Sequence, residues 1–378
     1  MKVLRRYFSS EIYRSVLFVL VAFLALFAFF DMMGEVRSVG RGPYRIEHAF
    51  IYVTLGLPSY AYELMPIAAL IGTIYVMAQF AARSEFTVMR ASSLSMLDAI
   101  RLLFRIALVL AVVTFLLGEF IGPKASDFRE NFKRRIEGAA ISSEFRSGLW
   151  AKDVIRDPQS HEIVGSRFLN ASRVEADGLV RGVRIYEFDK LMHMQTMISA
   201  EEARFQKEGI WNLSKVDEMR LREVEAPEDR RQIALTTRRS LESSQMTSEI
   251  TPEIMAVLVS DPNKMSAVDL ALFSRHLVEN KQRNDRYEIA LWTKLFYPLA
   301  VFVMMALALP FAYLQVRSGG LSLKIFIGIM IGVSFQLLNS LFSHVGLLNT
   351  WPPIMTAITP SLLFLIAAMF SLWWVERH

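Results

Sequence analysis

The polar connection at residues 81–99 (AARSEFTVMRASSLSMLDA), between two long apolar runs, carries a pattern suited to force transmission. Ser84 is a residue type that caps helices, and apolar side chains then recur at roughly helical spacing. The pattern predicts a short amphipathic helix over residues 84–98. This helix either lies on the membrane surface or inserts its apolar face into a groove of a cytoplasmic motor protein. In the second interpretation the contact residues are Glu85, Phe86, Met89 and Arg90.

Motifs for catalysis are missing from the sequence. It contains no GxxxxGK[ST] phosphate loop, so nucleotide is not held in that manner. His161-Glu162 begins like the zinc motif HExxH, but Gly165 stands where the second histidine is needed. The chain has no cysteine, which excludes disulfides, thiolate metal sites and cysteine nucleophiles. We therefore expect no enzyme activity and no cofactor in this chain.

Long apolar runs flank the connection at residues 81–99 and recur along the chain. A helix that spans the membrane needs about 20 apolar residues, so these runs are predicted to be membrane helices. The first run is too long for a signal peptide and no small-residue cleavage motif follows it. Six spans are predicted, 3+3 around a polar insert. Their apolar cores are Leu17–Phe30, Leu57–Phe80, Leu102–Ile121, Leu291–Leu314, Leu321–Leu348 and Pro352–Val375.

The polar insert is long enough to form a domain of its own. Apolar and polar residues alternate in 182–188 (GVRIYEF) and 210–216 (IWNLSKV), and Asp177-Gly178 and Glu208-Gly209 punctuate them as turns. The predicted fold is membrane α-helical with an inserted all-β domain. Its parts are spans one to three over residues 1–122, a helical extension over 123–147, the β-domain over 148–250, a helical return over 251–288 and spans four to six over 289–378.

Basic residues in the short connections predict the orientation. With a cytoplasmic N-terminus, ten lysines and arginines fall on the cytoplasmic side and three arginines on the other. Both termini are therefore predicted to be cytoplasmic and the β-domain periplasmic. The ten are Lys2, Arg5, Arg6, Arg14, Arg83, Arg90, Arg101, Arg317, Lys324 and Arg377; the three are Arg37, Arg41 and Arg45.

Four segments, in order along the chain, resemble the LptF/LptG lipopolysaccharide export permeases, and they agree best with the LptG side of that pair. The segment Ala82–Ser93 is similar to the family's coupling segment, with Ser93 where a glycine is usual. The others are Asp31–Tyr44, Gly148–Asp153 (GLWAKD) and Leu291–Met305 (LWTKLFYPLAVFVMM).

This resemblance implies a permease subunit of an ABC transporter in the bacterial inner membrane. Its partners would be an LptF-like permease, a dimeric LptB-like ATPase that binds ATP and Mg, and an LptC-like periplasmic bridge protein with one membrane anchor. The cargo would be lipopolysaccharide, and no nucleic acid is involved. The inserted domain would be a periplasmic jellyroll with a groove for acyl chains, and Glu85 would pair with a basic residue of the ATPase.

A lipopolysaccharide cargo presents phosphates at headgroup depth, and arginine binds phosphate with suitable geometry. The basic residues just outside spans one and three are therefore candidate substrate contacts, and Lys133 corresponds to a basic position of the family. Ordinary interfacial contacts with phospholipid are the alternative. The candidates are Arg37, Arg41, Arg45, Arg129, Lys133 and Arg134.

Gly328 and Gly332 form a GxxxG motif in span five, which permits close helix approach. In the family, helices one and five line the subunit seam, so the motif fits a subunit interface; packing within the chain is the open alternative. Two other functions remain as alternatives for the whole protein. A membrane-anchored scaffold would need fewer spans, and a secondary transporter would need broken helices and buried ionisable residues.

Overall fold

The computed structural model describes residues 2–40, 42–83, 96–137, 148–156, 162–174, 179–206, 209–224, 233–251, 254–255, 261–279, 282–312 and 320–377. The chain divides into two compact units. The first contains residues 1–130, 262–274 and 283–378, and the second contains residues 131–261 and 275–282.

Two long helices of the first unit, α1 (Lys2–Val36) and α2 (Ile46–Ala82), form an antiparallel pair. Gly72 permits their close approach, because a Cβ at this position would lie 2.7 Å from the backbone nitrogen of Val16. We call the end at which α1 ends and α2 begins the distal end. The opposite end, where the rings of Phe8 and Phe80 lie 5.4 Å apart, is the proximal end.

The third span begins as α3 (Met96–Leu116), passes through a π-helical turn at Leu117–Ile121 and continues as α4 (Gly122–Glu137). The predicted continuation of this helix beyond the apolar run is confirmed over Asp127–Glu137. At the π-helical turn, Gly118 leaves room for the ring of Tyr62; a Cβ on Gly118 would lie 2.4 Å from that ring.

The fourth span is broken, contrary to the single run predicted. Helices α6 (Asp285–Phe296) and α7 (Leu299–Ala308) meet at 52°, with Pro298 in the break. Proline has no amide hydrogen to donate and its ring crowds the preceding turn, which explains the bend. Among the described residues, five helices are long and apolar enough to cross a membrane, and the bent pair is a sixth if it counts as one span.

The remaining helices of the first unit include α8 (Leu321–Leu348) and α9 (Pro353–Arg377), which match the fifth and sixth predicted runs. Their outward faces expose large apolar side chains such as Phe326, Leu337 and Phe370. In water such a surface would drive aggregation, whereas in a bilayer it faces hydrocarbon.

The return to the membrane begins with α5 (Ala267–Glu279) after a short 3-10 turn at Pro262–Lys264. The predicted helix start is confirmed: the backbone amide of Asp269 donates to Ser266 Oγ at 3.0 Å. Of the helix predicted over Met255–Val259, only Met255 lies in the described part; it is helical, as is the preceding residue, Ile254.

The second unit contains a six-stranded antiparallel sheet in which neighbouring strands follow chain order. Alternate side chains are buried, so the predicted all-β domain with one apolar face is confirmed. A jellyroll requires Greek-key crossovers, and the described strands show a meander instead. The strands are β1 (Leu149–Arg156), β2 (Ile163–Val174), β3 (Leu179–Asp189), β4 (Met194–Phe205), β5 (Ile210–Val224) and β6 (Ile233–Thr247).

A buried polar cluster ties the first strand of this sheet to the residue that follows the last one. Ser248 Oγ donates to Asp153 Oδ2 at 2.6 Å, and Asp153 is fully buried. Arg167 lies 3.6 Å from the same carboxylate, pairs with Glu187 at 2.7 Å and donates to the carbonyl oxygen of Thr247. These bonds hold the two edges of the sheet together, so the sheet curls around its own core.

Candidate functional site

The connection between α1 and α2 presents two of the predicted phosphate-binding arginines. Arg37 and Arg45 are both exposed, while Tyr44 between them is buried. The hydroxyl of Tyr44 donates to Glu35 Oε2 at 2.9 Å, which fixes the connection to the end of α1. Arg41, the third predicted arginine, lies outside the described residues.

Gly40 shapes this connection. Its backbone amide donates to the carbonyl oxygen of Tyr44 at 2.9 Å, and its φ of +88° is a conformation that side-chain-bearing residues rarely adopt. The turn leaves Arg37 and Arg45 on its two arms. Both guanidinium groups are therefore presented at the distal end, where an anionic headgroup could reach them.

Arg129 has a different role from that predicted. Its guanidinium pairs with Asp31 at 2.8 Å, and the two side chains are only 15% and 24% exposed. The hydroxyl of Tyr60 donates to both oxygens of the same carboxylate, at 3.0 and 2.9 Å. The guanidinium also lies 4.0 Å from the centre of the Tyr52 ring, a cation–π distance. In this conformation Arg129 joins α4 to α1 and α2, and its charge is neutralised by the chain itself.

The close packing of Arg129 requires a glycine on α2. A Cβ at Gly56 would lie 2.8 Å from the Nη1 atom of Arg129. The missing side chain at Gly56 therefore provides the space that the guanidinium fills. Asp31, Tyr52, Gly56 and Tyr60 were not predicted as site residues, because nothing in the local pattern links them to Arg129.

Lys133 and Arg134 lie further along α4, in the second unit, and both are half-buried. Arg134 donates to Asn131 Oδ1 at 2.8 Å. Lys133 is four residues beyond Arg129, so the two residues share one face of the helix. Their role in substrate binding stays a prediction.

The glycines of the predicted GxxxG motif are buried against α2 of the same chain. A Cβ at Gly328 would lie 2.8 Å from Ile74, and one at Gly332 would lie 2.8 Å from Ile67. These two glycines therefore make the intrachain contact that was the alternative interpretation. A contact of α8 with a partner subunit would have to use other faces of this helix.

The predicted coupling residues Glu85, Phe86, Met89 and Arg90 lie outside the described residues, as do positions 84–95 as a whole. The structure gives only the ends of the helices that flank this segment. Helix α2 ends at Ala82 and α3 begins at Met96, both at the proximal end.

A polar junction inside the first unit was not predicted. The π-helical turn carries Glu119, whose carboxylate accepts the backbone amide of Ala267 at 2.8 Å and so satisfies the first turn of α5. The amine of Lys294 donates to the carbonyl oxygen of Met265 from within the bundle. Together these two contacts anchor the start of the returning helix to the third and fourth spans.

Comparison with known proteins adds the decisive observation. The sequence model of the family described as "Lipopolysaccharide export system permease LptF/LptG" matches residues 6–374. The chain belongs to the LptF/LptG family. The resemblance inferred from the four segments is thereby confirmed.

Among LptF/LptG proteins, the chain is similar to two curated relatives, each called "Lipopolysaccharide export system permease protein LptG". It is 29% identical to the protein of Escherichia coli strain K12, over 99% of this chain and 98% of the relative. It is 29% identical to the protein of Haemophilus influenzae, over 98% of this chain and 97% of the relative. Membership of this family and the long apolar helices make the chain a multi-pass inner-membrane protein.

Proposed function

We propose that this chain is a permease subunit of an ABC transporter that extracts lipopolysaccharide from the inner membrane and passes it to a periplasmic bridge. The observation that carries this proposal is the family match over residues 6–374, which includes both sets of helices and the inserted sheet. The partners proposed are an LptF-like permease, a dimeric LptB-like ATPase that binds ATP and Mg, and an LptC-like bridge protein.

The distal end of the bundle is the proposed entry site for the lipid. Exposed Arg37 and Arg45 would bind the phosphates of lipid A through charge-assisted hydrogen bonds. Lys133 on α4 would be a further phosphate contact. Arg129 would act as a positioning residue that holds α1 against α2 and α4 while the lipid enters.

The proximal end is the proposed site of force transmission. ATP-driven closure of the ATPase dimer would push on residues 84–98 through Glu85 and its apolar neighbours. The first and fifth spans of the two permeases would then approach each other and narrow the cavity between them. The lipid would be displaced towards the β-domain.

The β-domain would receive the acyl chains on the inner face of its curled sheet. In the described part of the domain this face is filled by its own side chains, including Trp211, Leu213 and Ile250. Acyl chains would therefore enter only after these side chains have moved apart. Transfer of the lipid to the β-domain and opening of the sheet would therefore occur together.

The broken fourth span with its buried Lys294 is a feature that secondary transporters also use. Here the amine is bound to a backbone carbonyl oxygen within the chain, which favours a structural role over ion coupling. A membrane-anchored scaffold remains the other candidate, and the experiment below separates it from the permease.

The test reconstitutes this chain with its partner permease, ATPase and bridge protein in proteoliposomes that contain lipopolysaccharide. ATP-dependent release of lipopolysaccharide to the bridge is expected from the unmodified complex. Glu85→Ala is expected to abolish release while ATP hydrolysis persists, because the motor is no longer connected to the spans. Glu11→Ala, a carboxylate on the same predicted side of the membrane, is the matched control.

A second arm reverses the charge at Arg37 and Arg45 together. Stimulation of ATP hydrolysis by lipopolysaccharide is expected to fall, whereas Arg14→Glu at the opposite end of α1 leaves it unchanged. Undiminished stimulation would remove the two arginines from the site. Undiminished release in Glu85→Ala would contradict the coupling role, and no release from any complex would favour the scaffold.

A further inference from the structure

A small polar cavity of about 120 Å³ lies between α6, α8 and the 3-10 turn at Pro262–Lys264. All of its lining residues belong to the first unit, and none of the described candidate substrate residues is among them. A cavity needs roughly 10–15 Å³ to hold one water molecule. This cavity therefore has room for a group of several heavy atoms.

The cavity lies at the distal end of the bundle. Helix α8 is antiparallel to α2, since Gly328 faces Ile74 while Gly332 faces Ile67. The C-terminal end of α8, which lines the cavity, is therefore on the distal side. Trp351 follows shortly after this end, and tryptophan is enriched where a membrane meets water. The cavity is thus at the depth of lipid headgroups.

Two helices contribute one face each to the lining. On α6 the lining residues are at positions 286, 289, 290 and 293, a spacing that places them on one side of a helix. On α8 they are at positions 343, 344 and 347, again on one side. The two ionisable members, Arg286 and His344, are therefore part of the lining itself, and both are exposed.

The polar lining consists of groups that can donate hydrogen bonds. Arg286 supplies a guanidinium group, Asn263 an amide and Ser343 a hydroxyl. His344 Nδ1 donates to the carbonyl oxygen of Ser340 at 2.8 Å, which orients the ring and leaves Nε2 for a ligand. Nε2 can accept the hydrogen of a phosphate monoester or, when the ring is protonated, donate to an anion.

Thr293 adds a buried hydroxyl group that has no partner. Its Oγ1 atom is shielded from solvent, and within the part of the chain that the structure describes no group forms a hydrogen bond with it. An unpaired buried hydroxyl is unfavourable. A ligand with acceptor oxygens in the cavity would satisfy it.

The charge of the lining favours an anion. Among the described residues that line the cavity, none is an aspartate or a glutamate. On α6, Asp285 accepts from Arg283 at 2.9 Å, so its charge is neutralised by the chain itself. Glu288 accepts from Asn284 at 2.7 Å. Asp261, just before the 3-10 turn, is not a lining residue.

From the donor groups, the size, the unpaired hydroxyl and the depth, we infer that this cavity binds a phosphate group. Arg286 binds it through charge-assisted hydrogen bonds, for which the guanidinium has suitable geometry. His344 and the hydroxyl groups complete the site. A lipid headgroup and free phosphate offer the same acceptor oxygens. The inference uses neither Arg37 nor Arg45 and does not depend on the proposed function.

The chain contains no cysteine, so a single introduced thiol reports on this site. Ser343→Cys places a thiol in the lining of the full chain, purified with its partner subunits in a nonionic detergent. Asn349→Cys is the matched control, because Asn349 is exposed at the same end of α8 and does not line the cavity. The rate of maleimide alkylation is measured on this chain by mass spectrometry, with inorganic phosphate, dihexanoyl phosphatidylglycerol or dihexanoylglycerol added.

Phosphatidylglycerol is expected to slow alkylation at residue 343 and not at residue 349, whereas dihexanoylglycerol, which has no phosphate, slows neither. Arg286→Gln is expected to raise the half-protecting concentration about tenfold, as loss of a charge-assisted hydrogen bond requires. Arg286→Lys should restore part of the affinity, since the charge is kept without the planar fork. Arg283→Gln, at an exposed arginine that pairs with Asp285, should leave protection unchanged.

The two phosphate probes distinguish the sources of the ligand. Protection by phosphatidylglycerol at concentrations where inorganic phosphate has no effect would assign the cavity to a lipid headgroup. Equal protection by the two probes would assign it to free phosphate. Either result supports a phosphate site.

Four outcomes overturn the inference. Equal protection by dihexanoylglycerol would mean that acyl chains, not phosphate, cover the thiol. Equal protection at residues 343 and 349 would mean that the effect is unspecific. Equal responses of Arg286→Gln and Arg283→Gln would remove Arg286 from the site, and no protection by either phosphate probe would remove the site itself. Release of lipopolysaccharide plays no part in these rates, so failure of the proposed function would leave them unchanged.

Discussion

The ion pair between Asp31 and Arg129 joins two side chains that are 98 residues apart in sequence. Both groups are partly removed from water, so neither charge is well solvated without the other. Tyr60 donates to the carboxylate and Tyr52 lies against the guanidinium, which makes the cluster a four-residue unit. At the residue scale, this unit fixes the distal ends of α1, α2 and α4 to one another.

Removing one member of this pair should destabilise the first unit. Asp31→Asn leaves the Arg129 cation partly buried without its carboxylate, at a cost of roughly 2 kcal/mol. Thermal unfolding of the purified complex measures this loss. Arg129→Gln should cost a similar amount, and the double variant less than the sum of the two.

The coupling energy in this double-mutant cycle distinguishes a positioning role from substrate binding. If the stability losses of the two single variants simply add in the double variant, the interaction between Asp31 and Arg129 contributes nothing to stability. If Arg129→Gln removes stimulation by lipopolysaccharide while Asp31→Asn leaves it intact, Arg129 binds the substrate directly. We expect the two single variants to lose stability and stimulation by lipopolysaccharide to the same extent, which would assign both residues to one structural unit.

Burial changes the pKa of Asp153 in the β-domain. Removal from water raises the pKa of its carboxyl group above the ordinary value, although the Ser248 hydroxyl and the Arg167 charge oppose this rise. Between the ordinary pKa and the raised one, the folded domain binds more protons than the unfolded chain. The contribution of Asp153 to stability therefore falls as the pH rises through this window.

The predicted consequence is a pH dependence that Asp153→Asn should flatten. Hydrogen exchange of the β1 and β2 amides in the full chain, corrected for intrinsic rates, measures the opening free energy from pH 4 to 7. Asp189 and Asp217 have lowered pKa values and contribute in the opposite direction in both proteins, so the difference between wild type and variant isolates Asp153. An equal slope in the two proteins would contradict the raised pKa.

At the scale of elements, the contact of α8 with α2 depends on two glycines. Gly328 and Gly332 bring α8 so close that any side chain there would meet Ile74 or Ile67. The two helices are in direct contact at these glycines, with no space for lipid between them. This contact holds the fifth predicted span against the second. Motion of α8 relative to a partner subunit would therefore carry α2 with it.

Gly332→Leu should destabilise the bundle by about 1–3 kcal/mol, because the new side chain overpacks a close helix contact. Thermal unfolding of the purified complex measures the effect, and Ile67→Ala in the same chain should restore part of the loss by making space. Gly34→Leu is the control, since a Cβ at Gly34 in α1 meets nothing within 4 Å. Equal effects at positions 332 and 34 would show that the α8–α2 contact is not the cause.

At the scale of the whole molecule, the proposed function requires that the β-domain and the 84–98 segment lie on opposite sides of the membrane. Single-cysteine labelling tests this in a chain without cysteines. A membrane-impermeant maleimide applied to cells with a permeabilised outer membrane should label Ser243→Cys, on the exposed part of β6, and leave Gly320→Cys unlabelled. Disruption of the inner membrane should make both accessible.

If only Gly320→Cys were labelled while the inner membrane is intact, the protein would have the orientation opposite to the predicted one. In that case the β-domain would be cytoplasmic and could not pass lipid to a periplasmic bridge. The prediction rests on the excess of basic residues at the proximal end of the helices, which the positive-inside rule assigns to the cytoplasm.

The sequence alone determined the features that depend on local physics. Apolar runs of spanning length predict membrane helices, because an unsatisfied backbone is too costly in hydrocarbon. Alternation of apolar and polar residues in 182–188 and 210–216 predicts strands, because successive side chains of a strand point to opposite faces. Four ordered segments were sufficient to indicate the family.

Only the tertiary structure decided which distant residues meet. The Asp31–Arg129 pair, the contact of Gly332 with Ile67 and the bond from Ser248 to Asp153 each join residues far apart in sequence, and no local period encodes such contacts. The same holds for the curled meander in place of a jellyroll, since strand order depends on pairing rather than on pattern. Propensity and periodicity act over a few residues, whereas packing and charge pairing act across the whole fold.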